Sequence, residues 1–460
     1  MKKVLLVICL LISNICFAGE VVILHTSDTH GRIAPVEYNG IKNTGGYSRR
    51  LTFVNDIRKQ NKNVLLLDSG DYFQGSLYYR LDNGKAIAKL LPEIKYDAIA
   101  LGNHEFDNGI GVLKRNIKVS KTQFLSANVH FKDKYLSQAV KPYIIKQIDG
   151  EKFLIIGVTT SSLSSVTDTS KVTVTNPIDE INKIIKNVDY DRLIILSHCG
   201  LDEDRQIAKA IPQIDLILGG HNHYFFQIPE MVSGKVPVVQ DGEFGVRVGI
   251  LKFDGKLKSY NHKNITSEIT SNDKTDKNIA ALDLHNQKVT QKVLAKTQTT
   301  LIGNQTTLEK SQTNLGRLVL ISMTKAFPNF DAVITNSGSI RVNRNIKGDI
   351  TYADVLEILP FDNDIVLVEI QGKYLKEILQ TGKQQNRRYL QYYLKDSKIE
   401  NDKMYKVITN AYVAKGKDGY TSFKHGTVVK KSSKSNTKLL IDTLNDLKIL
   451  TDENLNLENL

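Results

Sequence analysis

The sequence predicts an α/β protein, in which a layered α/β domain is followed by a second, smaller α+β domain. Three observations carry this reading. Seven short, β-branched apolar runs alternate with helix-compatible stretches in the first half of the 460-residue chain. Between about Asn261 and Thr300 the composition turns polar and helix-prone. Beyond that, helical and strand periods are mixed.

The chain opens with MKKVLLVICLLISNICFA, which has the layout of a secretory signal peptide over residues 1–18. Lys2 and Lys3 form the basic region, Val4–Ile12 the apolar one, and Ala18 is the small residue before a cut at Gly19. Ser13 and Asn14 interrupt the run before the ~20 apolar residues of a membrane span accumulate. Ile15 is bulky where a lipoprotein signal needs a small residue. An exported protein, periplasmic or secreted and without stable membrane insertion, is therefore expected. Cleavage would remove Cys9 and Cys16 and leave Cys199 alone, expected to point into the core, so no intramolecular disulfide would form. It would also remove two lysines and lower the formal charge from +13 to +11. A cationic surplus favours anionic partners. The basic residues are nevertheless scattered, apart from Val428–Lys438 (VVKKSSKSNTK), which reads as a solvated loop rather than a nucleic-acid surface.

The seven runs are Val21–His30, Asn63–Asp71, Tyr96–Asp107, Lys152–Thr160, Asp191–Gly200, Asp215–His223 and Val236–Gly245. Tyr47–Gln60 and Asn176–Asn187 are helix-compatible. Five runs pass at their C-terminal ends into loops rich in Asp, His or Asn, often beside Gly. Asp28 and His30 end the first, Asp71 the second, Asn103 and His104 the third, His198 the fifth, and His221 with His223 the sixth. In layered α/β folds the carboxyl ends of the strands open onto one crevice, so such loops can converge. A lone loop histidine is an ordinary surface residue, but five repetitions of one placement are not turn chemistry.

Imidazoles mixed with carboxylate and amide oxygens suit zinc, manganese, iron or cobalt better than calcium or magnesium. Two divalent ions about 3.5–4 Å apart, bridged by an Asp, can clamp an attacking oxygen opposite a substrate oxygen. No thiolate stands among the candidates, against a structural zinc site. The chain also lacks G-x-S-x-G, a P-loop and H-E-x-x-H.

The motifs SDTHG, GD, GNHEFD, LSHCG and GGHNH, in this order, resemble those of calcineurin-type metallophosphoesterases, and with a second domain behind them those of the bacterial 5′-nucleotidase/UDP-sugar hydrolase family. The resemblance implies a four-layer α/β/β/α domain. It gives Asp28, His30 and His223 to one metal, Asn103, His198 and His221 to the other, and Asp71 as the bridge, with zinc or manganese the leading candidates. A metal-bridged hydroxide would attack phosphorus, and His104 would stabilise the transition state while Asp107 holds its imidazole. Glu105 and Phe106 are expected to be structural. The implied organisation is a signal peptide over 1–18, the metal domain over 19–262, a linker with a helix over 263–295 (Lys274 to Ala295), and a substrate-binding domain over 296–460.

In the second half, TNLGRL, NSGSIR, LPFDN and KDGY resemble the C-terminal domain of these nucleotidases. Asn336 and Arg341 would then contact the ligand, Phe361 and Tyr412 would sandwich its base, and Asp418 would order the loop or touch the sugar. Without these motifs the two aromatics read as core residues. Some relatives carry arginines where this chain has Gln305 and Glu309, and Tyr412 stands where Phe is usual; Lys310, Arg344 or Lys347 are candidates to replace the charge. The implied activity is phosphate release from nucleoside 5′-monophosphates, with UDP-sugars or NAD as further substrates. The alternatives are a 2′,3′-cyclic-nucleotide phosphodiesterase/3′-nucleotidase, a thiosulfohydrolase, or a non-catalytic nucleotide-binding protein.

Overall fold

The computed structural model describes residues 20–38, 41–165, 171–342, 344–383 and 389–459, so the expected signal peptide, with Cys9 and Cys16, lies outside the described residues. The chain divides into two compact units, Met1–Asn286 and Gln287–Leu460.

In the first unit all seven apolar runs form strands: Val21–Thr26, Val64–Asp68, Ala98–Ala100, Glu151–Thr159, Arg192–His198, Leu216–Gly219 and Val236–Gln240. The first three run side by side and parallel in a seven-stranded sheet, and the last four do so in a six-stranded sheet. Ile23, Leu65 and Leu67 of one sheet pack against Ile155, Ile194 and Leu218 of the other. The outer face of the first sheet, with Leu24 and Leu66, is covered by helical residues such as Leu51, Val54, Leu113 and Ile117. Ile156 and Ile195 on the outer face of the second meet Ile181, Ile207 and Ala208. The result is the four-layer α/β/β/α architecture. Its central strands are buried on both faces, which is why they read as unbroken apolar runs. Cys199 is buried in the core behind the second sheet.

The helix Tyr47–Gln60 occupies its expected span. The helix Pro177–Ile185 starts where Asn176 accepts from the backbone N–H groups of Ile178 and Asp179, with Pro at its first position. The polar segment expected as a linker begins with the last residues of an antiparallel edge strand, Lys256–Asn264, paired to Arg247–Asp254. It continues into the helix Asp273–Thr290, tied to the first unit by Thr275 Oγ1 donating to Glu93 Oε2 at 2.9 Å. That helix stops short of Ala295, because the alternating, β-branched stretch Val293–Leu301 is a strand with Leu294 and Ala295 buried.

The second unit is α+β. Its five-stranded mixed sheet runs in the order Leu390–Leu394, Ala332–Asn336, Met404–Asn410, Asp364–Gln371, Thr427–Ser435. Helices Asn314–Thr324 and Asn436–Leu447 cover one face through Leu315, Leu318, Leu440 and Leu444. Gly372–Thr381 covers the other through Leu375 and Ile378. The lysine-rich segment from Val428 is not a loop, as expected, but largely an exposed edge strand. Its Lys431 pairs with Asp364 at 2.7 Å, and Lys434 and Lys438 with Asp442 at 2.8 Å each. Lysines on an edge strand discourage pairing with further chains. Among the described residues no helix is long and apolar enough to cross a membrane.

Candidate active site

The ligand-bearing loops converge at the carboxyl ends of the two sheets. Asp28, His30 and His223 form one group whose ligand atoms all lie within 4.8 Å of one another, and Asp71, His198 and His221 form a second. Asn103 joins the second group, its Oδ1 lying 2.9 Å from His221 Nδ1. Asp28 also accepts from the backbone N–H of His221 at 3.1 Å, which links the groups.

Local backbone makes this crowding possible. Asp28, His30, Asp71, His221 and His223 all have positive φ, between 47° and 76°. Non-glycine residues adopt that region sparingly, at a cost of order 1–3 kcal/mol each, and such residues cluster at functional sites. Gly102 allows the closest approach: a β-carbon there would lie 2.1 Å from Asp71 Oδ1.

The hydrogen bonds show what the donor set lacks. His30 Nδ1 donates to the Gln74 carbonyl at 2.8 Å and His198 Nδ1 to the Ser69 carbonyl at 2.7 Å, so in the neutral rings both Nε2 atoms carry bare lone pairs. His30 Nε2 faces His223 Nε2 across 3.2 Å. His198 Nε2 is fully buried and finds no hydrogen bond, although Asp71 Oδ2 lies 3.0 Å away: the distance is that of a bond but the angles are not. Buried lone pairs facing one another and a carboxylate call for a cation, and this donor set fits a divalent metal. Electrostatics say the same. Burial opposes charge on His198, yet the Asp71 carboxylate outweighs it and raises the imidazole to about 10. Burial likewise opposes charge on His223, but the carboxylates of Asp28, 3.4 Å away, and Glu243, 2.7 Å away, lift it to about 10. Burial pushes Asp71 up, while His198, His104 and His30 together pull it well below the carboxylate range.

His104 belongs to neither group. Its Nδ1 lies 2.8 Å from Asp107 Oδ2, and about 39% of its side chain is exposed, so the ring can meet a substrate. Burial lowers its pKa, but the bond to Asp107 and the charges of Asp71, Asp107 and Glu105 raise it to about 9. Glu105, expected to be structural, has a specific task. Its buried carboxylate accepts from the backbone N–H groups of Gly102, Asp71, Tyr72 and Phe73 at 2.7–3.2 Å, stapling two ligand loops together. Sequence reasoning passed over Glu243, which lies 2.7 Å from His223 Nδ1 and accepts from Tyr38 Oη at 3.0 Å. Its signal was available: Glu243 follows the seventh apolar run, the same placement that marked the ligands.

In the second unit Asn336, Arg341, Phe361, Tyr412 and Asp418 line one cavity of about 350 Å³, with Ser339 and Asn363. Phe361 is 57% and Tyr412 43% exposed, so neither is a core aromatic. The Arg341 guanidinium sits 5.6 Å from the Phe361 ring centre. Asp418 accepts from Asn336 Nδ2 at 2.5 Å and from Tyr412 Oη at 3.1 Å. Arg344 is held by Asp354 and by Glu357 at 3.0 Å, so it is not a free cation. Lys310 and Lys347 are exposed, and the side chain of Gln305 lies outside those described.

A four-layer α/β/β/α domain with two clusters of metal-binding residues at its strand ends is the class of the metallophosphoesterases. Residues 21–225 match the family described as calcineurin-like phosphoesterase, and residues 293–394 and 388–425 that described as 5′-nucleotidase, C-terminal domain. The snake venom 5′-nucleotidase of Crotalus adamanteus is 30% identical over 420 residues, 80% of this chain and 71% of that one. The trifunctional nucleotide phosphoesterase protein YfkN of Bacillus subtilis (strain 168) is 28% identical over 88% of this chain, which spans only 32% of that protein. Among solved structures, the 5′-nucleotidase precursor from Thermus thermophilus superposes with a TM-score of 0.68 at 29% identity, covering 94% of this chain and 97% of that one. The chain belongs to the 5′-nucleotidase family and is a metal-dependent hydrolase.

Proposed function

We propose that the protein is exported and releases phosphate from nucleoside 5′-monophosphates, with cleavage of UDP-sugars or NAD as a further activity. The observation that carries the nucleotide reading is the exposure of two aromatic faces, Phe361 and Tyr412, in one cavity with Arg341. Base–aromatic stacking contributes roughly 1–3 kcal/mol per base without choosing among bases.

In this reading Asp28, His30 and His223 would hold one ion and Asn103, His198 and His221 the other, with Asp71 the carboxylate shared by the two groups. When bound there, divalent ions would supply Lewis-acid charge and a nucleophile at neutral pH for attack on phosphorus. His104, cationic through its bond to Asp107, donates from Nε2 to the phosphoryl group as charge develops and assists the leaving oxygen. Arg341 meets an anionic group of the ligand. Asn336 and Asp418 order the pocket wall, and Lys310 and Lys347 remain candidates to replace the missing arginines.

The test is phosphate release by the mature protein from AMP, 3′-AMP, UDP-glucose, NAD and a thiosulfate ester, with added Mn²⁺ or Zn²⁺ and with chelator. Release from AMP that chelator stops is expected. Turnover of 3′-AMP or the thiosulfate ester alone would replace the nucleotide assignment with one of the related hydrolases, and binding of AMP without turnover would mark a receptor. Export predicts a mature N-terminus at Gly19; an exported protein still beginning at Met1 would contradict cleavage.

A further inference from the structure

We propose that Glu243, braced by Tyr38, is a positioning residue that tightens the Asp28/His30/His223 half of the metal centre and leaves the other half unaffected; the proposal rests on the dinuclear reading above. The far ring nitrogens of the four candidate histidine ligands are treated unequally. His30 and His198 donate to main-chain carbonyls, those of Gln74 and Ser69. His221 points Nδ1 at Asn103 Oδ1, the oxygen by which Asn103 joins the second group, so that nitrogen is its ligand atom. His223 alone among the four has a carboxylate at its far nitrogen, Glu243 Oε2 at 2.7 Å. The other oxygen of that carboxylate accepts from Tyr38 Oη at 3.0 Å, which prevents it from swinging away. The next residue closes the frame, since the Phe244 N–H donates to the Asp28 carbonyl at 2.8 Å. One short segment thus fixes two ligands of the same half.

A carboxylate behind a ligating imidazole fixes its tautomer and strengthens it as a ligand, and removing such a partner typically costs 10–100-fold in metal affinity. That effect falls on His223 and hence on one ion only. Tyr38 acts through Glu243, so its removal produces a smaller change of the same kind.

The experiment is calorimetric titration of Mn²⁺ into chelator-stripped wild type, Glu243→Gln and Tyr38→Phe, with circular dichroism as a check on folding. Two equivalents are expected for wild type, with one of them weakened about 10–100-fold in Glu243→Gln and less so in Tyr38→Phe. Repeating Glu243→Gln in a His221→Ala background, which keeps the first half, should weaken the remaining equivalent; in a His30→Ala background it should not. Unchanged affinities, or equal weakening of both equivalents, would overturn the proposal. Should Glu243→Gln misfold, Tyr38→Phe decides by the same criterion. Wild type that takes up no metal would instead sink the dinuclear reading itself.

Discussion

His104 and Asp107 form the smallest unit to which the proposed function gives a chemical role, an imidazole held at Nδ1 by a carboxylate 2.8 Å away and still open to solvent. His104→Ala should lower kcat about 10²–10⁴-fold, the range for a positioned acid or base, while metal content stays at the wild-type level. Steady-state kinetics with metal analysis checks this, and full activity without His104 would contradict its role. The ligand histidines make a second prediction. His198 and His223 are both raised by the carboxylates beside them, which favours protonated rings, and a cation bound there must displace those protons. Metal uptake should therefore release protons, and affinity should rise with pH until both imidazoles are already neutral. Calorimetry in buffers of different ionisation enthalpy reads the count; uptake without proton release would refute it.

Strand ends and their loops set the geometry at the next scale. Gly102 lies so close to Asp71 that Gly102→Ala must displace both the Asp71 carboxylate and its backbone N–H, 2.1 and 2.4 Å from the added carbon. The variant should fold, since the strands behind it are untouched, yet lose most of its metal through dialysis; full retention would show that Asp71 is not fixed from this side. At this scale much was legible in the sequence. The seven core strands were readable because burial on both faces leaves no polar interruption. The edge strands Tyr143–Ile148 and Lys256–Asn264 were not, because exposed positions break their apolar runs. The strand at Val428 hid for the same reason, its lysines reading as a loop. The candidate ligands stood out because one placement recurs at strand ends, and the fold brings them into two groups. Glu243 shares that placement, but an acidic residue beside Gly is also ordinary turn composition, and its contact with His223 is made by the fold. The staple by Glu105 was equally hidden, since its partners are backbone N–H groups that no sequence motif announces.

For the molecule as a whole, the two units have separate cores, and the metal-binding clusters belong to the first. A ligand that binds only folded protein stabilises by mass action, by about 2.7 kcal/mol at a hundred times Kd. Metal should therefore raise the unfolding temperature of the first unit and leave that of the second in place. Differential scanning calorimetry with and without chelator should show one transition moving; equal movement of both would indicate that the units unfold together. The central claim, a dinuclear centre, is tested most directly by the metal content of the purified, metal-loaded protein after exhaustive dialysis. The account predicts two divalent ions per chain in wild type and one in His221→Ala, which loses a ligand of only one group. A single ion or none in wild type would contradict it.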